Sequence, residues 1–182
     1  MDLVRSLAEL EDKPDLHVGR VLVLLGSFVG SEGTGRIEGL TKLAKLDFLL
    51  RYPTMLERAL KAKNRSTASV GLEQHERTSV ESRMVRYRFG PWDHRYRMLL
   101  NILIGRGLAT VAIQGKTVSI GLTAEGVQLA QSLAATETYA SVARRARLLR
   151  ANFDVGATHL MRFVYDTFPE VLTLRMNEPI TP

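Results

Sequence analysis

The sequence predicts a mainly α-helical protein with one small β-hairpin, which places it in the α+β class. Most apolar residues recur at three- and four-residue steps, the spacing of buried helix faces. Two short alternating runs, 109–113 and 117–122, are joined by Gln-Gly-Lys, a turn typical of a tight hairpin. The chain of 182 residues with 45% hydrophobic residues is long and apolar enough for one domain, or for two very small ones that share a core.

Charge and cysteine content restrict the function classes. The formal net charge is +6, and basic residues outnumber acidic ones most clearly over 36–65 and 83–106, which favours nucleic acid or an acidic protein surface as partner. The absence of cysteine excludes disulfides, thiol catalysis and thiolate metal sites. No run approaches the roughly 20 apolar residues of a membrane span. The start of the chain is acidic rather than signal-like, so we expect a cytoplasmic protein that makes no membrane contact.

Residues 1–64 are predicted to form an N-terminal helical part. Asp15 is placed to cap a strongly apolar first helix, which should end in the glycine-rich run 26–35. That run lacks the Gly-Lys-Ser/Thr ending of a phosphate loop, so we predict no nucleotide site there.

Two further helices follow in this part. The first is predicted over 37–52 and should end before Pro53, since the residue before a proline is driven out of helical geometry. The second is predicted over 55–62, with Thr54 as its cap. Together they should form a tight helix-turn-helix corner.

Residues 65–79 have no periodicity and are predicted to be a mobile loop or linker. The next stretch, 80–89, alternates like a strand, with Arg86 and Arg88 on a basic face and aromatic residues on the other. Gly90–Pro91 should end this strand.

The stretch 80–135 carries the most specific pattern. A helix is predicted over 92–105, then the hairpin, then a helix capped by Thr123. The inner face of the first helix should comprise Tyr96, Leu99, Leu100, Leu103 and Ile104. This order of segments, with Leu122–Gly126 at the strand-to-helix junction, resembles a winged helix-turn-helix. The resemblance implies that the leucine fills the core, the threonine caps the helix and Gly126 permits close approach of the wing.

Residues 136–182 are predicted to be C-terminal helices and a tail. One helix should run from Thr123 to about Asn152 and another over 156–168, while 172–176 could be a strand or a loose tail. The long helix has an apolar seam and a basic flank. Either the core of the chain buries this seam, or a partner protein does. If that partner is a second copy of the chain, the protein is a homodimer.

The sequence predicts no enzyme. The four histidines lie far apart, and none has an acidic or histidine neighbour at metal-ligand spacing. Nucleophile-elbow, zinc-peptidase and phosphate-loop motifs are missing. We therefore predict no catalytic residue, no metal and no cofactor.

The run Gly35–Pro53, followed by the winged-helix pattern, resembles the small middle component of bacterial ABC-three-component systems, including the Lamassu-type defence systems. In such systems an ATPase related to SMC and Rad50 proteins works with an effector, and a small winged-helix subunit sits between them. The resemblance implies a non-enzymatic accessory subunit that bridges the two and contributes to sensing foreign DNA. The alternative is a free-standing DNA-binding transcriptional regulator.

The candidate contact residues are cations, whose partner would be double-stranded DNA or an acidic protein surface. The wing tip has one cation, fewer than DNA-reading wings usually carry, which favours a protein partner. Arginine and asparagine on the helix before the hairpin would still suit base edges. The predicted contact residues are Arg36, Lys42, Lys45, Arg51, Arg86, Arg88, Arg95, Arg97, Lys116, Arg144, Arg145 and Arg147.

Overall fold

A computed structural model describes residues 14–78, 80 and 83–182 and has a mainly helical fold with small antiparallel sheets. The helices are α1 (Pro14–Val29), α2 (Leu40–Arg51), α3 (Pro53–Ala62), α4 (Tyr96–Gly105), α5 (Ala124–Ala134), α6 (Ala140–Phe153), α7 (Ala157–Thr167) and α8 (Pro169–Thr173). The strands are β1 (Ile37–Glu38), β2 (Val85–Tyr87), β3 (Gly90–Trp92), β4 (Ala109–Gln114) and β5 (Thr117–Leu122). The predicted α+β class is confirmed. Within the described residues, no helix is both long and apolar enough to cross a membrane.

Helix α1 is the centre of the core and packs against α4, α5, α6 and β5. As predicted, it ends within the glycine-rich run 26–35, although it continues through Gly26 as far as Val29. At Gly26 an added Cβ would come within 2.7 Å of the Ala130 Cβ of α5. The glycine therefore allows two helices to approach closely instead of ending the first one.

A three-stranded antiparallel sheet with the order β1-β5-β4 lies beside α1. The predicted hairpin β4–β5 is confirmed, and Gly115 at its tip has the positive φ of 61° that such a turn requires. Strand β1 was predicted as the start of a helix. Ile37 instead pairs with Ile120 of β5 and is fully buried, so the helix begins only at Leu40.

Helices α2 and α3 form the predicted corner, with different boundaries. Only Tyr52 separates the two helices, and Pro53 is the first residue of α3. At this position the missing N–H of proline costs no hydrogen bond, because the first N–H groups of a helix have no partner within the helix. Thr54 makes no cap hydrogen bond. Residues 65–78, predicted as a mobile linker, form two 3₁₀ turns (Ala68–Val70 and His75–Arg77), which pack against α3 and α6.

The chain between the linker and α4 differs from the prediction of one strand followed directly by a helix. Gly90, with a φ of 100°, turns the chain back, so that Val85 of β2 pairs with Trp92 of β3. The Asp93 carboxylate then accepts a hydrogen bond from the Arg95 amide, and α4 begins at Tyr96 instead of Trp92.

The predicted long helix from Thr123 is two helices. Thr123 does cap α5, since its hydroxyl oxygen accepts from the Gly126 amide at 3.0 Å. An added Cβ at Gly126 would lie 1.9 Å from the Leu108 carbonyl oxygen, so the expected close approach is confirmed. Residues 135–139 then break the helix and place the Tyr139 hydroxyl over Gly19 of α1. Both α5 and α6 pack on α1, so the apolar seam lies in the core of a single chain.

The C-terminal part closes the fold. Helix α7 agrees with the prediction to within one residue at either end. Part of the predicted strand or tail 172–176 is instead the end of α8. The last residues lie along β2, where Arg86 exchanges backbone hydrogen bonds with Asn177 and Glu178.

Candidate partner-binding surface

A cluster of charged side chains fills the space between α1, α2 and the start of α4. The fully buried Asp47 carboxylate lies at its centre. Its Oδ1 accepts a hydrogen bond from Arg20 Nε at 2.9 Å, and its Oδ2 accepts one from the Tyr96 hydroxyl at 2.7 Å. Arg51 Nη2 lies 3.0 Å from the same Oδ2. One carboxylate therefore joins three elements of the core.

A second carboxylate, Asp93, extends this arrangement. Arg51 Nη2 donates to Asp93 Oδ2 at 2.5 Å, and Arg95 Nη2 donates to the same oxygen at 2.8 Å. The His17 ring lies between two guanidinium groups, with Nδ1 2.7 Å from Arg20 Nη1 and Nε2 2.8 Å from Arg95 Nη1. The ionic cluster, as we call it, consists of His17, Arg20, Asp47, Arg51, Asp93, Arg95 and Tyr96.

Electrostatic interactions keep the carboxylates of the ionic cluster charged. Burial alone would raise the pKa of Asp47, but the charges of Arg20 and Arg51 and the hydrogen bonds hold that pKa below its ordinary value. The pKa of Asp93 is also lowered, because hydrogen bonds from Arg95 and the charge of Arg51 outweigh its burial. Against the effect of its own burial, the nearby carboxylates raise the pKa of Arg51. Asp47, Asp93 and Arg51 are thus charged at neutral pH, whereas burial raises the pKa of Tyr96 well above its ordinary value and keeps its hydroxyl neutral. The cluster fixes the start of α4 against α1 and α2.

Two lysines of α2 are also inside the protein. Lys42 Nζ pairs with the Asp154 carboxylate at 3.2 Å, and burial lowers the pKa of Lys42. Lys45 is only 1% exposed, and its Nζ donates to the Phe89 carbonyl oxygen at 2.7 Å. Burial lowers the pKa of Lys45 to about 8.

Arg145 of α6 is buried as well. It donates to the carbonyl oxygen of Val70 at 3.0 Å and to the Glu76 carboxylate at 2.7 Å, which ties the 65–78 segment to α6. Four predicted contact residues are therefore satisfied internally, and the prediction of a surface role does not hold for them. These four are Lys42, Lys45, Arg51 and Arg145.

The other predicted contact residues reach the surface on different elements. Arg36, before β1, lies on the outer face of the hairpin, with Nη1 3.5 Å from the Thr110 hydroxyl. Arg86, Arg95 and Arg144 are half-buried, the second of them within the ionic cluster. The exposed residues are Arg36, Arg88 in the β2–β3 turn, Arg97 on α4, Lys116 at the hairpin tip and Arg147 on α6.

Helix α4 presents a mixed outer face to solvent. Arg97 and Asn101 are exposed there, one turn apart. Met98 is 44% exposed and Ile104 42% exposed, although Ile104 was predicted to be buried. At 100° per residue these four side chains fall within about 120° of the helix circumference. The outer face of α4, defined by these residues, therefore combines one cation and one amide with two large apolar side chains.

Sequence reasoning found the polar part of this face and missed the apolar part. Tyr96, Leu99 and Leu103 are buried at three- and four-residue steps, as predicted. Met98 does not share the three- and four-residue spacing of these buried positions, and this is the one signal in the sequence that its side chain is exposed. The ionic cluster has no sequence signal, because its members come from three separate segments.

Within the described residues, no group of three or more His, Cys, Asp or Glu side chains could hold a metal ion. Comparison of the chain with protein-family models, with curated proteins and with solved structures gave no significant match.

Proposed function

We propose that this chain is a non-enzymatic winged-helix subunit that binds a larger protein through the outer face of α4. The order α4, hairpin, capped α5 agrees with the winged-helix pattern, and the close contact of Gly126 with Leu108 agrees with its junction. In this arrangement α4 takes the position of the helix that contacts the ligand. The fold alone does not identify a partner, so the type of partner is inferred from the exposed side chains of this face.

The observation that carries the proposal is the pair of exposed apolar side chains on that face, Met98 and Ile104. Methionine and arginine are enriched in protein interfaces. Burial of two apolar side chains the size of Met98 and Ile104 stabilises a complex by a few kcal/mol. A DNA groove would offer them mostly polar edges and phosphates. The α4 face therefore suits a protein better than it suits a duplex.

The distribution of lysine and arginine residues also favours a protein partner over a DNA duplex. DNA affinity depends mainly on phosphate contacts, commonly about 6–10 of them. Four of the predicted cations are buried, and Lys116 alone among lysine and arginine residues lies at the hairpin tip. The other exposed residues of the predicted contact set, Arg36, Arg88, Arg97 and Arg147, each lie on a different helix or loop.

For the partner we propose an SMC/Rad50-like ATPase together with an effector, in a bacterial anti-phage or anti-plasmid defence complex. This identity rests on the sequence resemblance of Gly35–Pro53. That run forms β1 and α2, whose residues 42–51 are all buried, so the resemblance concerns the core of the subunit and not its contact surface.

The test is co-purification of the tagged chain from its host under gentle conditions, with mass spectrometry of the bound proteins. We expect recovery of a large coiled-coil ATPase, and we expect Met98→Asp to lose it. Met176→Asp is the matched control, since Met176 is 49% exposed and lies in the C-terminal tail. If the wild-type chain recovers no ATPase, or if both variants recover it equally, the proposal is wrong.

A second candidate function is sequence-specific DNA binding. Arg97 and Asn101 favour it, because these side chains suit guanine and adenine edges, respectively. A free-standing regulator should bind one duplex with a dissociation constant on the order of 10⁻⁸ M or lower at physiological salt. The accessory subunit should show only weak, salt-sensitive binding, on the order of 10⁻⁴–10⁻⁶ M. Fluorescence anisotropy on a pool of duplexes distinguishes the two.

A further inference from the structure

Helices α2 and α7 lie side by side and run in the same direction. The Lys45 ammonium lies 6.0 Å from the centre of the Tyr165 ring, and further along both helices the ring centres of Phe48 and Phe168 are 5.5 Å apart. The residue numbers of the two helices therefore rise together, and both N-termini lie at the same end of the pair. Since a helix N-terminus carries about half a positive charge, the two charges add at this end.

A cavity of about 230 Å³ opens at this common end. Thr41 lines it from α2, and Ala157, Thr158 and Met161 line it from α7. The Phe89 ring, which is 58% exposed, lines it from the β2–β3 turn. The wall thus combines two hydroxyl groups with apolar surface.

The first-turn amides of both helices lie at this cavity, since Thr41 is the second residue of α2 and Ala157 is the first of α7. The residues that precede the helices are Gly39 and Gly156, and neither helix has a side-chain cap. Among the described residues, none accepts a hydrogen bond from the amides of 40–42 or 157–159. Such uncapped N–H groups are well suited to bind an anion.

The independent sign of an anion is Lys45, a buried cation that has no counter-charge. Lys45 is 1% exposed, and its Nζ donates to the neutral carbonyl of Phe89. No carboxylate in the described part of the chain pairs with it, and burial lowers the pKa of Lys45 without an opposing charge. Buried charges in proteins are normally paired. Residues four apart on a helix have Cβ atoms about 5–6 Å apart, so Lys45 lies just beneath Thr41 and the cavity.

The other described charges at this end of α2 balance one another. The Asp154 carboxylate accepts from Lys42 at 3.2 Å and also pairs with Arg150. Burial lowers the pKa of Lys42, and the charge of Glu38 counteracts this effect. Together with Lys45, three cations thus face two carboxylates, and a single negative charge would balance the set.

We propose that this cavity binds a monocarboxylate with a small apolar group. Its carboxylate accepts from the first-turn amides of α2 and α7 and from the Thr41 and Thr158 hydroxyls, while Lys45 stabilises its charge from beneath. The apolar group packs against Phe89 and Met161. A phosphate dianion would exceed the single unbalanced charge and would leave the apolar wall uncovered. The site is separate from the α4 face, so it goes beyond the proposed function.

A free acid and the C-terminus of a peptide both carry this chemistry, and NMR titration of the nitrogen-15-labelled full chain distinguishes them. The probes are 4-methylpentanoate and acetyl-Gly-Gly-Leu, each compared with its uncharged amide. We expect saturable shifts of the amides of 40–42 and 157–159 with the carboxylates only. The probe that binds more tightly identifies the source. If neither carboxylate binds, or if the uncharged amides bind equally well, the proposal is wrong.

Three variants test the roles of the residues. Lys45→Met keeps the length of the side chain and should raise the dissociation constant of the better probe at least about tenfold, since it removes the nearby charge. The matched control is Lys116→Met, which removes the same charge at the hairpin tip and should change nothing. Thr158→Glu should fold, because a carboxylate suits the first turn of a helix, and should lose the probe by occupying its place.

Circular dichroism checks that each variant folds. Equal binding by the Lys45→Met and Lys116→Met variants, or wild-type binding by the Thr158→Glu variant, would overturn the proposal. Met98→Asp should bind the probe like the wild type, which separates this result from the test of the α4 face.

Discussion

Replacement of Asp47 by asparagine tests whether the ionic cluster holds the fold together. The Asp47 carboxylate is fully buried and accepts from Arg20 and Tyr96, while Arg51 lies 3.0 Å from it. Asparagine keeps the volume but offers a single acceptor oxygen and removes the negative charge. Arg20, whose side chain is 12% exposed, then loses its carboxylate partner, and the buried Arg51 loses one carboxylate and keeps Asp93. Removal of one partner of a buried ion pair costs about 3–5 kcal/mol.

The expected effect is large enough for thermal and denaturant unfolding to resolve. A domain of this size loses about 2–4 °C in Tm for each kcal/mol, so Asp47→Asn should lower the Tm by about 6–20 °C. The matched control is Glu170→Gln. Glu170 pairs with Arg58 at the surface, where both side chains are about half exposed, and such a pair contributes less than about 1 kcal/mol.

The pH dependence gives a second check with a definite sign. The pKa of Asp47 is lower in the folded chain than its ordinary value of about 3.9. Its contribution to stability is therefore complete above that value and is lost as the pH falls through the folded pKa. The stability gap between wild type and Asp47→Asn should be constant from pH 7 to about pH 5 and should narrow below about pH 4. If Asp47→Asn costs no more than Glu170→Gln at pH 7, the reasoning about the cluster is refuted.

Two further predictions concern the core. In the wild-type chain, Lys45 should make the free energy of unfolding rise by at most about 3 kcal/mol between pH 8 and 10.4, because the unfolded chain keeps the lysine proton up to about pH 10.4 and the folded chain only up to about pH 8. Lys45→Met should abolish this rise, which urea unfolding at pH 7 and 10 measures. Parallel pH profiles of the two proteins would contradict the prediction. Gly126→Ala should destabilise by about 2–3 kcal/mol, since its Cβ would meet the Leu108 carbonyl oxygen at 1.9 Å. Gly105→Ala, in open space on α4, should stabilise by about 0.5–1 kcal/mol, and similar Tm values for the two alanine variants would refute the packing argument.

Local patterns in the sequence were sufficient for the class and for most elements. The hairpin was predictable because its turn chemistry and alternation are local, and Thr123 was predictable as a cap because capping depends on the next three residues. Helix α7 was predictable from its apolar spacing. The errors lie where local signals have two meanings. Gly26 resembles a helix end but allows helix contact, and Gly90 resembles a strand end but begins a second strand.

Local patterns and composition were enough to establish that the chain is mainly helical, that it has one hairpin and that it carries excess positive charge. They could not determine which charges reach solvent. The same α2 residues would suit a basic surface or a buried ion-pair network, and periodicity does not distinguish them when nearly the whole helix is covered. The answer required the folded chain, because the counter-charges Asp93 and Asp154 come from segments distant in sequence from α2. Burial without those partners would cost several kcal/mol per ion, so the long-range pairing determines which cations are buried and which stay exposed to solvent.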